Sequence, residues 1–213
     1  GPISGTDSVD VVSNLHAEIL TIPVKLGDQV TKGQVIATLD ASDLTREVEI
    51  AQNAYDLAVA NYEEQQVAAR NGYAKAQQAY SLARAAYERN SVLFAAGDIS
   101  QVEMENAKSA MDSAALDVSG YTVENGQAVP PDSYRLQIES ARFELEKKKE
   151  QLENAEIKSP IDGTVVRVNT KVGRFADTTE NDVPLFVIEN LDVLEMKINV
   201  SEYSIGQVAV GQK

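Results

Sequence analysis

The sequence predicts an α+β protein in which a long antiparallel helical hairpin is inserted between two short β segments. Three observations predict this fold class. Apolar residues over 42–156 recur at alternating spacings of three and four, which is the pattern of a coiled-coil seam. A glycine followed by a helix-capping sequence divides that stretch. Runs of β-branched residues with glycine turns stand on either side of it.

The first β segment, 9–41, contains short runs of strand-forming residues that end at turn signals. The strand formers are Val9, Val11, Ile19, Ile22, Val24 and the run 35–40, and the turns are placed at Gly27 and Gly33. A segment of this size cannot bury a hydrophobic core alone. It therefore needs a second β segment elsewhere in the chain.

The first helical arm is predicted from Leu44 to Ala95, with Ser42 or Asp43 as its N-cap. An arm of about 50 residues would be roughly 75 Å long. Near Gly72 the seam slips by one extra step of four, a stutter that locally unwinds a supercoil. The seam residues are Val48, Ala51, Tyr55, Ala58, Tyr62, Tyr73, Ala76, Tyr80, Ala83, Tyr87 and Phe94.

The tip of the hairpin is predicted at 95–100. Gly97 can adopt the left-handed conformation that ends a helix. Ser100 and Glu103 have the spacing of a capping box, which starts the next helix. The turn is therefore predicted twice, from the end of one helix and from the beginning of the next.

The second arm is predicted in two pieces, with a loop at 119–132 between them. That loop contains two glycines and the pair Pro130-Pro131, which cannot continue a helix. We expect it to be non-helical, more mobile than its flanks and placed opposite Gly72. The seam residues of this arm are Met104, Ala107, Met111, Ala114, Val118, Tyr134, Ile138, Ala141, Leu145, Leu152 and Ala155, with Lys148 in one seam position.

A second β segment, 157–190, follows the hairpin, with turns placed at Gly163 and Gly173 and a strand near 184–188. The hairpin domain is accordingly assigned to 42–156. A further β unit begins in 191–213, and we expect it to be incomplete.

The two flanking β segments look like the halves of a biotinyl/lipoyl-type sandwich split by the hairpin. The layout resembles the periplasmic adaptor, or membrane fusion protein, family of the HlyD/MacA type. The resemblance rests on the runs 24–35 (VKLGDQVTKGQV) and 157–166 (IKSPIDGTVV), and 191–213 is similar to the start of that family's β-barrel domain. One departure is the segment 14–17 (NLHA), which stands where the family usually has a Pro-x-x-Gly turn.

The resemblance implies a non-enzymatic adaptor of an export or efflux complex. Several copies would pack into a hexameric funnel whose inner end contacts a membrane transporter, with an ABC permease favoured by the arm length. Arg89, Leu93 and Ser100 stand as Arg-x3-Leu-x6-Ser, which is similar to the family motif that meets a TolC-type exit duct. The duct, or another envelope component, is therefore the expected partner of the tip. We expect an extracytoplasmic location, with a membrane anchor upstream of residue 1.

The composition excludes several function classes. A formal charge of −14 repels nucleic acid. The chain has no cysteine and a single histidine, His16, so neither a disulfide framework nor a thiolate or paired-histidine metal site is expected. No carboxylate pair is placed for acid–base catalysis, and no phosphate-binding glycine loop occurs. The sequence thus predicts no enzyme and no cofactor.

Other functions stay open at this point. The hairpin would also suit a purely structural coiled-coil spacer, and the adaptor could serve a proton-driven or type I secretion system. A lipoyl or biotinyl carrier is disfavoured. Such a carrier needs a modifiable lysine at the turn between its halves, and here the hairpin follows Asp40-Ala41 in that place.

Overall fold

A computed structural model describes residues 7–190, which form two compact units. The first unit combines residues up to 49 with those from 146 onward, and the second is 50–145. The helices are α1 (Ser42–Ala95), α2 (Gln101–Ser119) and α3 (Asp132–Glu153). The strands are β1 (Ser8–Val11), β2 (Ile19–Thr21), β3 (Gln29–Val30), β4 (Val35–Leu39), β5 (Thr122–Glu124), β6 (Gln127–Val129), β7 (Glu156–Lys158), β8 (Gly163–Val168) and β9 (Phe186–Glu189).

The first unit is a sandwich of two antiparallel sheets, ordered β1-β9-β8-β3 and β2-β4-β7. Each sheet contains strands from before and after the hairpin. In the first sheet Val30 pairs with Gly163, and in the second Ala37 pairs with Ile157. The predicted sandwich, assembled from two segments more than a hundred positions apart, is therefore confirmed.

The core of the sandwich is shared between the two segments. Its members come from β1 to β4 and their connections on one side of the hairpin, and from β7 to β9 and their connections on the other. The most deeply buried large side chains are Ile19, Ile36, Val165, Leu185, Phe186 and Ile188. Since each segment supplies only part of this apolar set, neither can bury a core without the other.

Glycines shape the connections of the sandwich. Gly27, Gly33 and Gly173 lie at turns as predicted, with φ of 93°, 87° and 93°. Gly163 has a different role from the predicted turn, because it is the first residue of β8. A Cβ there would lie 2.6 Å from the carbonyl oxygen of Glu189, so the close approach of β8 and β9 requires a glycine.

The entry into α1 is capped by a residue that precedes both predicted N-caps. Asp40, rather than Ser42 or Asp43, provides the capping carboxylate, which accepts hydrogen bonds from the Ser42 backbone N–H at 3.1 Å and the Ser42 hydroxyl at 2.5 Å. These bonds hold the pKa of Asp40 below its usual value of 3.8. Further along, Lys148 in its seam position donates to Glu47 at 3.3 Å, which compensates the charge there.

The second unit is a two-armed coiled coil, and its predicted seam is confirmed along most of its length. Ala51, Ala58, Ala76 and Leu145 are buried, and the tyrosines between them are half-buried. The small alanines let the helices approach while the tyrosines fill the intervening space. Phe94 is the exception, since it is 44% exposed at the end of the seam.

The break in the second arm is non-helical from Gly120 to Pro131, as predicted, but it is not a loop. Strands β5 and β6 form a two-stranded antiparallel hairpin joined by Asn125 and Gly126. Both turn residues have positive φ, 51° and 78°, as a type I′ turn requires. We call the segment 120–131 the β insert. The predicted β unit in 191–213 lies outside the described residues.

Candidate partner-binding surface of the helical hairpin

The end of α1 is fixed by a Schellman motif centred on Gly97. The Asp98 N–H donates to the Leu93 carbonyl at 2.9 Å, and the Gly97 N–H donates to the Phe94 carbonyl at 3.0 Å. Gly97 has φ of 78°, the left-handed conformation that this motif uses. The predicted role of Gly97 is therefore confirmed, and the chain leaves α1 in a defined direction.

The beginning of α2 is fixed by the predicted capping box. The Glu103 N–H donates to the Ser100 hydroxyl oxygen at 3.1 Å, and the Ser100 N–H donates to the Glu103 carboxylate at 2.8 Å. This reciprocal pair satisfies two backbone donors at the helix start. The Ser100 side chain is thus engaged inside the tip, which explains its presence without any partner.

The other two residues of the predicted tip motif differ in exposure. Arg89 is exposed. Leu93 is half-buried and offers less of its surface to solvent than Arg89 does. Phe94 is the last seam residue of α1, so no further helical turn covers it. The apolar side chains most exposed at the tip are instead Val92, at 70%, and Val102, at 64%.

Exposed apolar side chains on the arms follow a regular pattern. With seam positions written a and d in a seven-residue repeat, the opposite face of each helix carries positions c and f. Ten large apolar side chains on the helices are exposed, and nine of them fall at c or f, Phe94 being the tenth. The nine are Ile50, Leu57, Val67, Leu82, Val92, Val102, Leu116, Leu136 and Phe143.

Arg89 belongs to one such set on the last part of α1. Leu82, Ala85, Arg89 and Val92, with Ala96 directly after the helix end, recur at spacings of three and four on the face opposite the seam, and all five are exposed. We call this set the back stripe. A solvated helix back is normally polar. A 3-4 apolar repeat there, interrupted by a single arginine, has the pattern of a coiled-coil contact face.

The β insert is seated on α1 beside Gly72. A Cβ at this position would collide with the Tyr121 hydroxyl, and the Tyr121 ring lies edge-on to Tyr73 with centroids 5.8 Å apart. Arg70 donates to the Gln127 side chain at 2.8 Å. The glycine that marks the stutter in the sequence is therefore the seat of the insert.

Titratable groups in the described part of the chain form no reactive constellation. Within residues 7–190, no group of three or more His, Cys, Asp or Glu is placed to hold a metal ion. His16 stacks on Phe175 at 4.4 Å and lies 3.1 Å from the Asp177 carboxylate, which links loops from the two β segments. No helix in the same range is long and apolar enough to cross a membrane.

Comparison with known proteins matches the described part of the chain to one family model. The model of the CzcB-like, barrel-sandwich hybrid domain matches residues 7–190. A UPF0194 membrane protein of Citrobacter koseri is 28% identical over 115 residues, which cover 50% of this chain and 35% of that protein. This chain thus spans about a third of the length of that relative.

Two solved structures align with similar coverage. MacA from Actinobacillus actinomycetemcomitans aligns with a TM-score of 0.48 and 23% identity, over 87% of this chain and 53% of that chain. The membrane fusion protein Spr0693 from Streptococcus pneumoniae R6 aligns with a TM-score of 0.39 and 18% identity, over 86% of this chain and 59% of that chain.

Proposed function

The chain belongs to the CzcB-like barrel-sandwich hybrid family of membrane fusion proteins, as its resemblance predicted, and from that premise we propose that it is a non-enzymatic adaptor subunit of an export or efflux complex. It acts outside the cytoplasm and links a membrane transporter to components further out in the envelope. An ABC permease is the proposed transporter. The energy for export then comes from the transporter, and the adaptor contributes binding surfaces.

The observation that carries this proposal is the apolar character of the helix backs in the second unit. A hairpin that stood alone in water would leave nine large apolar side chains exposed on the faces opposite its seam. Neighbouring hairpins or partner helices would cover them. Side-by-side packing of several copies, with six as the proposed number, places apolar backs against one another and removes that surface from water.

The tip is the proposed contact with a TolC-type duct or another envelope component. Arg89 and Val92 lie in the exposed back stripe and are available to a partner helix. Leu93, which is half-buried, supports the turn and offers only part of its surface. Ser100 acts in this proposal through the capping box, by holding the tip in one shape.

A coiled-coil spacer is the second candidate function, and one observation favours it. The Ser100 side chain is fully accounted for by the capping box, so this part of the tip motif needs no partner. A spacer, however, gives no reason for an apolar repeat on the outer face of α1. The two functions are separated by variants that alter the back stripe and leave the caps intact.

Association of the purified chain tests the proposed packing. Leu82→Glu places a charge in the back stripe, and Ser81→Glu places the same charge at the neighbouring exposed position outside it. We expect Leu82→Glu to shift the sedimentation profile toward monomer and Ser81→Glu to leave it unchanged. Equal profiles for both variants would favour the spacer.

A further inference from the structure

In the described part of the chain, one side of the sandwich in the first unit is open between two strand edges to which no described strand pairs. β1 is an edge strand of one sheet and β7 is an edge strand of the other. A cleft of about 500 Å³ lies there, bounded by the end of β1 with residues 12–15, by the last turn of α3, and by all three residues of β7. The cleft is therefore lined by two strands that each have a neighbouring strand on one side only within residues 7–190.

Among residues 7–190, no strand pairs with the outer edge of β7. The Ala155 carbonyl accepts from β4 at 2.8 Å, and the Ser159 N–H donates to the turn before β4 at 2.9 Å. Because inward and outward groups alternate along an antiparallel strand, the N–H and C=O groups of Glu156 and Lys158 point away from β4. Only another extended strand matches such an alternating row of donors and acceptors.

Three carboxamide side chains also line the cleft, those of Asn14, Gln151 and Asn154. None of the side-chain hydrogen bonds found between residues 7 and 190 uses them. A carboxamide both donates and accepts, so it can bond to the backbone of an incoming strand in either direction.

The sequence of β7 indicates which strand fits. We propose that this edge binds a second copy of the chain by antiparallel β7–β7 pairing centred on Ile157. Such a pairing is two-fold symmetric, so Glu156 of each copy lies opposite Lys158 of the other. Opposite charges directly across an antiparallel pair are favourable, and here the favourable pair occurs twice.

The charged residues on β7 could instead prevent pairing, because charged side chains on edge strands commonly prevent edge-to-edge association. Guarding works best with charges of one sign, which repel when two identical edges meet. Glu156 and Lys158 have opposite signs, lie two residues apart and approach each other within 4.0 Å in one copy. Against an identical antiparallel edge this arrangement attracts. The contact is short, so the dimer is expected to be concentration-dependent.

Charge exchange tests the pairing. Glu156→Lys alone sets two lysines opposite each other, and Lys158→Glu alone sets two glutamates together, so each single variant repels itself. An equimolar mixture of the two variants restores both opposite-charge pairs between different chains. The double exchange restores them within one protein. We expect sedimentation equilibrium to show association constants reduced about tenfold in each single variant and recovered in the mixture and in the double exchange.

Thermal melts provide the folding control, because both single variants lose the same contact within one chain. This contact between copies does not depend on the proposed adaptor function or on the helix backs. If copies associate only through their hairpins, the mixture of the two single variants will associate no more strongly than either variant alone. That result would overturn the proposal. A natural chain that stays monomeric at every concentration would overturn it as well.

Discussion

The Tyr121 hydroxyl fills the space beside Gly72 that a side chain would otherwise occupy, so the β insert and the first arm meet at a residue without a Cβ. Glycine inside a helix is unfavourable by about 1 kcal/mol relative to alanine. α1 nevertheless continues through this position without interruption. The lower helix propensity of Gly72 is therefore accepted because any larger residue would collide with Tyr121.

Gly72→Ala should therefore destabilise the natural chain, although alanine is the better helix former. In a Tyr121→Ala background the collision is absent, and the same substitution should stabilise the protein by about 1 kcal/mol. Urea denaturation followed by helical circular dichroism measures both effects. Stabilisation by Gly72→Ala in both backgrounds would show that the packing of the Tyr121 ring against α1 does not require a glycine at position 72.

Gly97→Ala should destabilise the hairpin by about 1–2 kcal/mol, because an L-residue resists the left-handed conformation. Gly120→Ala is the matched control, since Gly120 has φ of −72° and is compatible with alanine. The control should be neutral or slightly stabilising. If Gly97→Ala and Gly120→Ala lose equal stability in thermal melts, the left-handed conformation of Gly97 is not the reason for its destabilisation.

Ser100→Ala should reduce the free energy of unfolding by about 1 kcal/mol through loss of the N-cap. Ser100→Asp retains a capping oxygen and should keep most of that stability. Export by cells carrying each variant shows whether the hydroxyl has another role. A fully stable Ser100→Asp protein that no longer supports export would assign Ser100 to a partner contact rather than to the cap.

Asp40 predicts a pH effect on stability. Its two hydrogen bonds from Ser42 lower the pKa in the folded state, so the stabilisation is present above the unfolded-state value near 3.8 and is lost as the pH falls through the folded-state value. Asp40→Ala should be less stable than the natural chain at pH 7, and the difference should shrink below about pH 4. Melting temperatures across that range measure it, and a difference independent of pH would contradict the capping role.

Local signals in the sequence were sufficient for the hairpin. The 3-4 repeat of alanine and tyrosine gave the seam, and Gly97 with the Ser100–Glu103 box gave the tip. That the two β segments form one sandwich could be inferred because neither can bury a core alone, and the structure adds which strands pair, β3 with β8 and β4 with β7. Each of these features depends on spacing or composition within a short stretch.

The features that were missed depend on contacts between distant residues or on competing signals. Asn125-Gly126 between two short β-prone runs is a strong hairpin signal, but Pro130-Pro131 led to the interpretation as a loop. The intermediate exposure of Leu93 could not be predicted from the seam, because it depends on where the coiled coil stops. The cleft beside β7 could not be predicted, since it requires the order of the strands in both sheets.

The most direct test of the adaptor function is export through variants of the back stripe. Arg89→Glu and Val92→Glu alter exposed positions and should change the free energy of unfolding by no more than about 0.5 kcal/mol. Ser81→Glu is the matched control, the same charge at an exposed position of the same helix outside the stripe. The substrate is any compound whose export is lost when the gene is deleted. We predict that the control restores export while both stripe variants, with normal melts, fail to do so. Full export by both stripe variants would contradict a partner-binding role for the tip.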